Sequence, residues 1–451
     1  RSRGIAIGYS LARRRRQNPD SSDAAPVKGQ SDARAGVTST APLTGNLLQL
    51  FLQLPLRPLA RGENGANQAA TAGRARAVFV VASGKGGVGK STICVNVAYA
   101  LKQLGLNVGI VDLDIYGPSL PELIPMPPNS LCGTEDGMLV PFDYSGVGLM
   151  SWGYIQPGEA AVIRAPLATR RVAQLLSNVR WGDLDCLLID TPPGTGDILL
   201  TLTQHVQIDG AVLVTTTNGM SVADLTKGAE LFEKVNVPVL AVCENMASLL
   251  CERCGHEHRM FSDAAASRIP ALLQTSPNAT LHVLPLDPQL SRAPPGPVRP
   301  QFYMCPYMNN PDFDDRPASR ALRGLAEALL ATFLAARQKP GERAEVRIRS
   351  GGSLQLRLPG GDVRPLSCCK LRAACRCAKC VDEDTGEQLL DKERILRDGS
   401  LRALLVEPVG NYAIRVQWSD NHISLVSLKI VEQLAGGLDG GSASPIGAGS
   451  W

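Results

Sequence analysis

Aromatic residues make up only 4% of this 451-residue chain, so its cores must be built from Leu, Val, Ile and Ala. Charge of one sign is also scarce, with a formal net charge of +4. What excess there is lies at one end. Residues 1–77 hold twelve Lys/Arg, including Arg13 to Arg16, against four Asp/Glu, which leaves the rest mildly acidic. A basic leader on an acidic body does not fit a nucleic-acid binder, which needs its positive charge on the folded domain. Long apolar runs are missing too. The richest stretch, Leu47 to Leu56, is broken by Gln49, Gln53 and Pro55, well short of the ~18 residues of a membrane span. No internal repeat is present, which excludes a solenoid.

Cysteine is not lacking, and its placement is informative. Seven of the twelve fall in two tight groups, Cys251/Cys254 and Cys368, Cys369, Cys375, Cys377, Cys380. Such spacing reads as metal or cluster binding and not as a secreted disulfide framework.

Residues 1–76, rich in Arg, Ala, Gly and Ser, read as an organelle transit peptide with a linker, or as a disordered basic tail. From 77 to 337 strands alternate with helices. Runs at Ala77–Ala82, Asn107–Asp112, Leu184–Asp190, Gly210–Thr217, Val237–Val242 and Val283–Leu286 are continuously apolar or nearly so. That is the pattern of strands buried on both faces, hence an α/β fold with a mainly parallel sheet and helices on either side. Residues 318–337 form a closing helix and 338–343 a linker. Alternating patterns then predict a small β-rich domain over 344–436, and a Gly/Ser tail fills 437–451.

Residues 83–92 read Ser-Gly-Lys-Gly-Gly-Val-Gly-Lys-Ser-Thr, between an apolar strand and a helical pattern (Val95, Ala98, Leu101, Leu104). Gly84 to Ser91 fits the phosphate-binding P-loop. Gly84, Gly86, Gly87 and Gly89, with Val88 between the last two, let backbone N–H groups turn toward phosphate oxygens. Lys90 reaches the β/γ-phosphates, Ser91 offers a hydroxyl to Mg²⁺, and Thr92 continues the helix start. Lys85 is a second lysine inside the loop. Asp190, at a strand end after Leu187-Leu188-Ile189, is placed to act on Mg²⁺. Asp112 and Asp114 stand at another strand end, Asp114 to orient the attacking water and Asp112 nearer the metal.

These residues carry a resemblance. Gly84–Thr92, Asp112-x-Asp114-x-x-Gly117-Pro118-Ser119, Trp181-Gly182-Asp183-Leu184-Asp185, Asp190-Thr191-Pro192-Pro193-Gly194-Thr195-Gly196-Asp197 and Glu244-Asn245-Met246 resemble the Mrp/ApbC family. Its members are deviant-P-loop ATPases, relatives of MinD and ParA, that carry iron–sulfur clusters. The resemblance implies a homodimer that binds ATP and Mg²⁺ at its interface. In it Lys85 reaches the partner's site and Asn245 recognises adenine. Thr217-Asn218 stands where the family has Pro-Gln.

Cys251-x-x-Cys254 follows Asn245 closely. Thiolates suit Fe–S clusters and Zn²⁺, and two cysteines make half a site, so a dimer supplies the four ligands of a [4Fe–4S] cluster. The Mrp-like resemblance implies that bridging site. His256 and His258 leave a zinc knuckle within one subunit open. Cys305 has no evident partner. Further on, Cys375-x-Cys377-x-x-Cys380 and the later His422 offer a closed Cys₃His zinc site, with a second Fe–S site as the alternative. The same run resembles the zinc-binding N-terminal domain of gamma-butyrobetaine hydroxylase, which implies Cys375, Cys377, Cys380 and His422 as the Zn²⁺ ligands. Cys368 and Cys369 fall outside that pattern. Together with Gly410-Asn411-Tyr412-Ala413, the two-domain order resembles plastid Fe–S scaffolds of the high-chlorophyll-fluorescence type. The expectation is therefore an ATP-driven carrier that takes clusters from upstream donors and passes them to apo-proteins. The plastid stroma is the expected compartment, with mitochondrion and cytosol as alternatives. The rival is a MinD/ParA-like positioning ATPase on a membrane or DNA.

Overall fold

The computed structural model describes residues 45–59, 73–126, 134–157, 165–260, 276–287, 316–337 and 345–435, apart from short gaps, with Ile269 by itself. Cys132 and Cys305 lie outside the described residues, as do most of the expected leader, the 338–343 linker and the tail.

The central strand β2 runs Arg74–Ala82, and from Ala77 onward its alternate residues serve different cores. Ala77, Phe79 and Val81 enter one apolar layer, while Val78, Val80 and Ala82 enter the other. A strand with two buried faces needs helices on both, and that is what forms. Around β2 lie β3 (Val108–Asp112), β4 (Phe142–Tyr144), β5 (Val147–Ser151), β6 (Asp183–Asp190), β7 (Gly210–Thr216), β8 (Val239–Asn245) and β11 (Thr280–Val283). The sheet order is β11-β8-β7-β2-β6-β3-β5-β4. Every pairing along it is parallel except the β4–β5 hairpin. On one face pack α2 (Lys90–Gln103) and α6 (Pro317–Arg337). On the other pack α3 (Ala165–Ser177), α4 (Gly196–His205) and α5 (Gly219–Lys234).

Two expectations change. The strand expected at Val283–Leu286 lies earlier, at Thr280–Val283, pairing with Ala241–Glu244. As an edge strand it carries polar Thr280 and His282, so its composition is not that of a buried strand. The disordered leader expected over 1–76 does not hold for 45–59. Helix α1 (Gly45–Leu52) buries Phe51 completely against Phe333, with ring centroids 6.0 Å apart. After it, β1 (Arg57–Pro58) pairs antiparallel with the start of β2. Arg57 binds the buried Asp209 carboxylate, and Arg76 donates to the Leu54 carbonyl. Leu47, Leu48, Phe51 and Leu54 form the apolar stripe that drives this docking. Truncating a buried Phe removes both transfer energy and packing, so Phe51→Ala should cost about 3–5 kcal/mol. A lower urea midpoint for the parallel-sheet body checks this.

The C-terminal part has its own core of Leu354, Leu356, Leu366, Leu371, Val416, Trp418, Val426 and others. One three-stranded antiparallel sheet comprises β12 (Glu345–Ile348), β13 (Leu354–Arg357) and β14 (Val363–Leu366). A second comprises β15 (Ala403–Val409), β16 (Ala413–Trp418) and β17 (Ile423–Ser427). Helices α7 (Cys368–Ala373), α8 (Lys392–Arg397) and α9 (Leu428–Ala435) complete it. No helix among the described residues is long and apolar enough to cross a membrane.

Candidate functional site

The phosphate loop, Asp112, Asp114, Asp190 and Asn245 lie at the carboxyl ends of the parallel strands, where ligands bind in such sheets. The loop from Ser83 to Gly89 leaves β2 and enters α2. Gly87 and Gly89 take φ +78° and +85°, a backbone region that favours glycine. Gly89 also has no room for a Cβ, because the Asn245 amide lies directly against it. The Asn245 Nδ2–H donates to the Val88 carbonyl at 2.9 Å, so Asn245 braces the loop and keeps Oδ1 as a further acceptor. Asn218, in the departure from the family pattern, caps α5 by accepting from the Met220 N–H at 3.0 Å.

Lys90, Ser91 and Asp190 form one polar cluster. The buried Lys90 ammonium binds Asp190 Oδ1 and lies 3.0 Å from Ser91 Oγ. Asp190 Oδ2 is buried with no hydrogen-bond partner. Beside it in register, on the neighbouring strand, stands Asp112, wholly buried. Burial and then the Asp190 charge push Asp112 up to about 7. Burial also raises Asp190, against the pull of Lys90. Two adjacent buried carboxylates with one orphaned oxygen suit a hard divalent cation, whose charge would let both ionise. The residues present therefore fit Mg²⁺ with a nucleotide phosphate.

Asp112 has a second task that the sequence did not show. Its Oδ1 accepts from the Asp114 N–H at 3.0 Å, and its Oδ2 accepts from the Leu120 N–H at 3.1 Å and the Ser151 hydroxyl at 3.2 Å. It thus ties the loop bearing Asp114 to the end of β5. Asp114 accepts from the Gly117 N–H at 3.1 Å and is only partly buried. Ser151, fully buried, was missed because a lone serine after an apolar run carries no sequence signal. Lys85 is exposed. Thr191 donates from both N–H and hydroxyl to the Val81 carbonyl, locking the loop after β6 to β2.

From Asn245 the chain turns through Met246 at φ 55° into a small hairpin, β9 (Ser248–Leu250) and β10 (Glu257–Arg259). Its tip carries Cys251, half-buried, and Cys254, exposed. The Cys251 N–H donates to the His256 carbonyl at 2.9 Å, and the His256 and His258 rings stack edge to face at 4.7 Å. No three of these four side chains converge as a metal cluster. By contrast Cys94, Cys186 and Cys243 are buried, and burial pushes their thiols well up, so they are inert.

A different cluster does converge. Cys375, Cys377, Cys380 and His422 bring their ligand atoms within 4.8 Å of one another. His422 Nε2 lies 3.4, 3.5 and 3.6 Å from the three sulfurs. A tetrahedral zinc with its usual bond lengths sets the S···N edge at about 3.6 Å, so the three S···N edges are those an ion requires. Burial and then the Arg372 charge hold His422 below its ordinary value, in the neutral form that ligates. Arg372 reaches Asp420 at 3.0 Å and Cys380 Sγ at 3.4 Å, and Asp420 accepts from the backbone N–H of His422 at 3.0 Å. These contacts orient the ligands from behind. Cys368 and Cys369 do not join; they donate to the carbonyls of Gly352 and Asp398 at 3.5 and 3.0 Å.

Comparison with known proteins finds a match for each part of the chain. Residues 74–296 match the ParA family of NUBPL-type iron-transfer P-loop NTPases, and residues 347–426 match the N-terminal domain of gamma-butyrobetaine hydroxylase-like proteins. The iron–sulfur cluster carrier protein of Haemophilus influenzae is 42% identical over 45% of this chain, which spans only 55% of that protein. A nucleotide-binding protein from Archaeoglobus fulgidus, solved with ADP, aligns at 29% identity over 56% of this chain and 88% of its own, with a TM-score of 0.41. The chloroplastic Fe–S cluster assembly factor HCF101 of rice is 31% identical across 91% of this chain and 74% of its own length, covering both the P-loop body and the C-terminal domain. At that identity and coverage, the chain belongs to the HCF101 family of Fe–S cluster assembly factors.

Proposed function

We propose that this chain is an ATP-dependent carrier that holds a [4Fe–4S] cluster as cargo between the Cys251/Cys254 pairs of two copies and hands it to apo-proteins. The observation that carries the reading is the hairpin. It carries two cysteines in Cys-x-x-Cys spacing at its tip, one half-buried and one exposed, which is half the ligand set of a [4Fe–4S] cluster, and a second copy supplies the other two ligands. The hairpin also leaves the end of β8, where Asn245 braces the P-loop. A change at the phosphate loop therefore has a short path to the cargo.

The roles at the nucleotide site follow from the chemistry present. Bound MgATP supplies the anhydride whose hydrolysis drives the switch. Lys90 and the loop N–H groups would bind phosphate, while Ser91 and Asp190 would hold Mg²⁺. Asp114 orients the water, held in place by Asp112. Lys85, exposed, is free to reach a partner subunit, and Asn245 Oδ1 to accept from adenine. Cys375, Cys377, Cys380 and His422 would hold a structural Zn²⁺; a closed set of four ligands leaves no position for substrate. The plastid stroma is the proposed compartment, supported by the rice relative named chloroplastic.

Cluster transfer tests the reading. The reconstituted protein should activate an apo [4Fe–4S] enzyme anaerobically, faster with MgATP than without, and Cys251→Ala/Cys254→Ala should not. ATPase activity stimulated by DNA or anionic vesicles, with no transfer, would favour a positioning ATPase.

A further inference from the structure

The turn at Asn411 and Tyr412 joins β15 to β16, yet it holds none of the metal ligands. It reaches out of its own domain. Asn411, only 8% exposed, donates from Nδ2 to the carbonyl of Ile208, 203 residues away in sequence. Its backbone carbonyl accepts from Asn236 Nδ2 at 3.0 Å. Tyr412 packs against the apolar layer beneath α4 and α5, and its carbonyl accepts from the Leu428 N–H at the start of α9.

The landing points belong to one β–α unit. Ile208 lies just before β7, and Asn236 just after α5. Asn236 sits at φ 55°, the left-handed residue that ends α5, so its backbone aims the side chain. The opposite end of the same unit faces the nucleotide loop. A Cβ at Gly84 would stand 2.6 Å from the Asp224 backbone, so the first P-loop glycine lies directly on α5. There too, Thr216 at the end of β7 is in register with Asn245. From Asp224, against the P-loop, the 16-residue helix runs about 15 Å to its end at Lys234, two residues before Asn236.

We propose that the Asn411–Tyr412 turn is a docking plug that couples the C-terminal domain to nucleotide binding, with β7 and α5 as the connecting lever. Coupling of this kind is reciprocal: whatever the plug does to nucleotide affinity, nucleotide does to docking. The inference concerns nucleotide alone and holds whatever cargo Cys251 and Cys254 carry.

Two full-length variants test it, Asn411→Ala and Asn236→Gly. The second leaves the C-terminal domain untouched, and glycine keeps the left-handed backbone at the end of α5. Amide exchange at 208–210 and 235–237 should rise in both. The Kd for MgADP should shift in the same direction in both, by about fivefold or more. MgADP should alter exchange at 411–413 in the wild type and not in Asn236→Gly. Raised exchange with an unchanged Kd in Asn236→Gly would make the contact purely structural and overturn the coupling. Unchanged exchange in both variants would show that the turn is not docked at all.

Discussion

Lys90→Ala should lower ATP turnover by at least about 100-fold and also destabilise the ATPase body, whereas Lys85→Ala should lose turnover alone. The two lysines are five positions apart in sequence but differ in setting: Lys90 is buried in a polar cluster and Lys85 is exposed. Lys90 neutralises Asp190, which is 2% exposed and has an orphaned oxygen. Removing one partner of a buried pair strands the other charge and typically costs about 3–5 kcal/mol. Lys85 leaves no such hole. Steady-state phosphate release and a thermal melt on each variant separate the effects. A Lys85→Ala protein that hydrolyses ATP normally would remove the case for a lysine acting across the dimer. A Lys90→Ala protein with a normal melt would mean that the Lys90–Asp190 pair is not formed in solution.

Metal removal from the C-terminal domain should have the largest effect on stability. That domain has a small core, and domains of its size are marginal without a staple. Binding of a structural zinc contributes folding free energy directly, about 10–16 kcal/mol in zinc-finger peptides. Chelation, or Cys377→Ser, should therefore unfold residues 345–435 while the ATPase body keeps its own transition. Trp418 is a built-in reporter, fully buried with its indole N–H bonded to Ser424 at 2.9 Å. Its emission should shift to the red as zinc leaves, and a Trp418→Phe control should lack the shift. Emission unchanged after metal loss would show that the core stands unaided.

Much of this molecule was legible in its residues. Parallel strands buried on both faces must be continuously apolar, so β2, β3, β6, β7 and β8 announced themselves, and the P-loop and strand-end aspartates followed from them. The grouping of Cys375, Cys377 and Cys380, which the fold brings together with His422, was readable because the Cys-x-Cys-x-x-Cys spacing is short. What escaped had weaker local signals. Helix α1 carries a real apolar stripe, but it is brief and set in a basic, Gly- and Ala-rich stretch. Its burial depends on Phe333, nearly 300 residues away, which no local pattern can reveal. Strand β11 was displaced because an edge strand tolerates Thr280 and His282. Asp112 reads as a metal-side carboxylate, and only the fold shows that it also ties Asp114, Leu120 and Ser151 together. The role of Asn411 is tertiary throughout.

The central claim is that Cys251 and Cys254 of two copies share one cluster. The most direct measurement counts iron, sulfide and zinc per dimer after anaerobic reconstitution of the wild type and of Cys251→Ala/Cys254→Ala. The account predicts about four iron and four sulfide per dimer in the wild type, none in the variant, and about one zinc per chain in both. Iron that is absent from the wild type, or that survives in the variant, would contradict it.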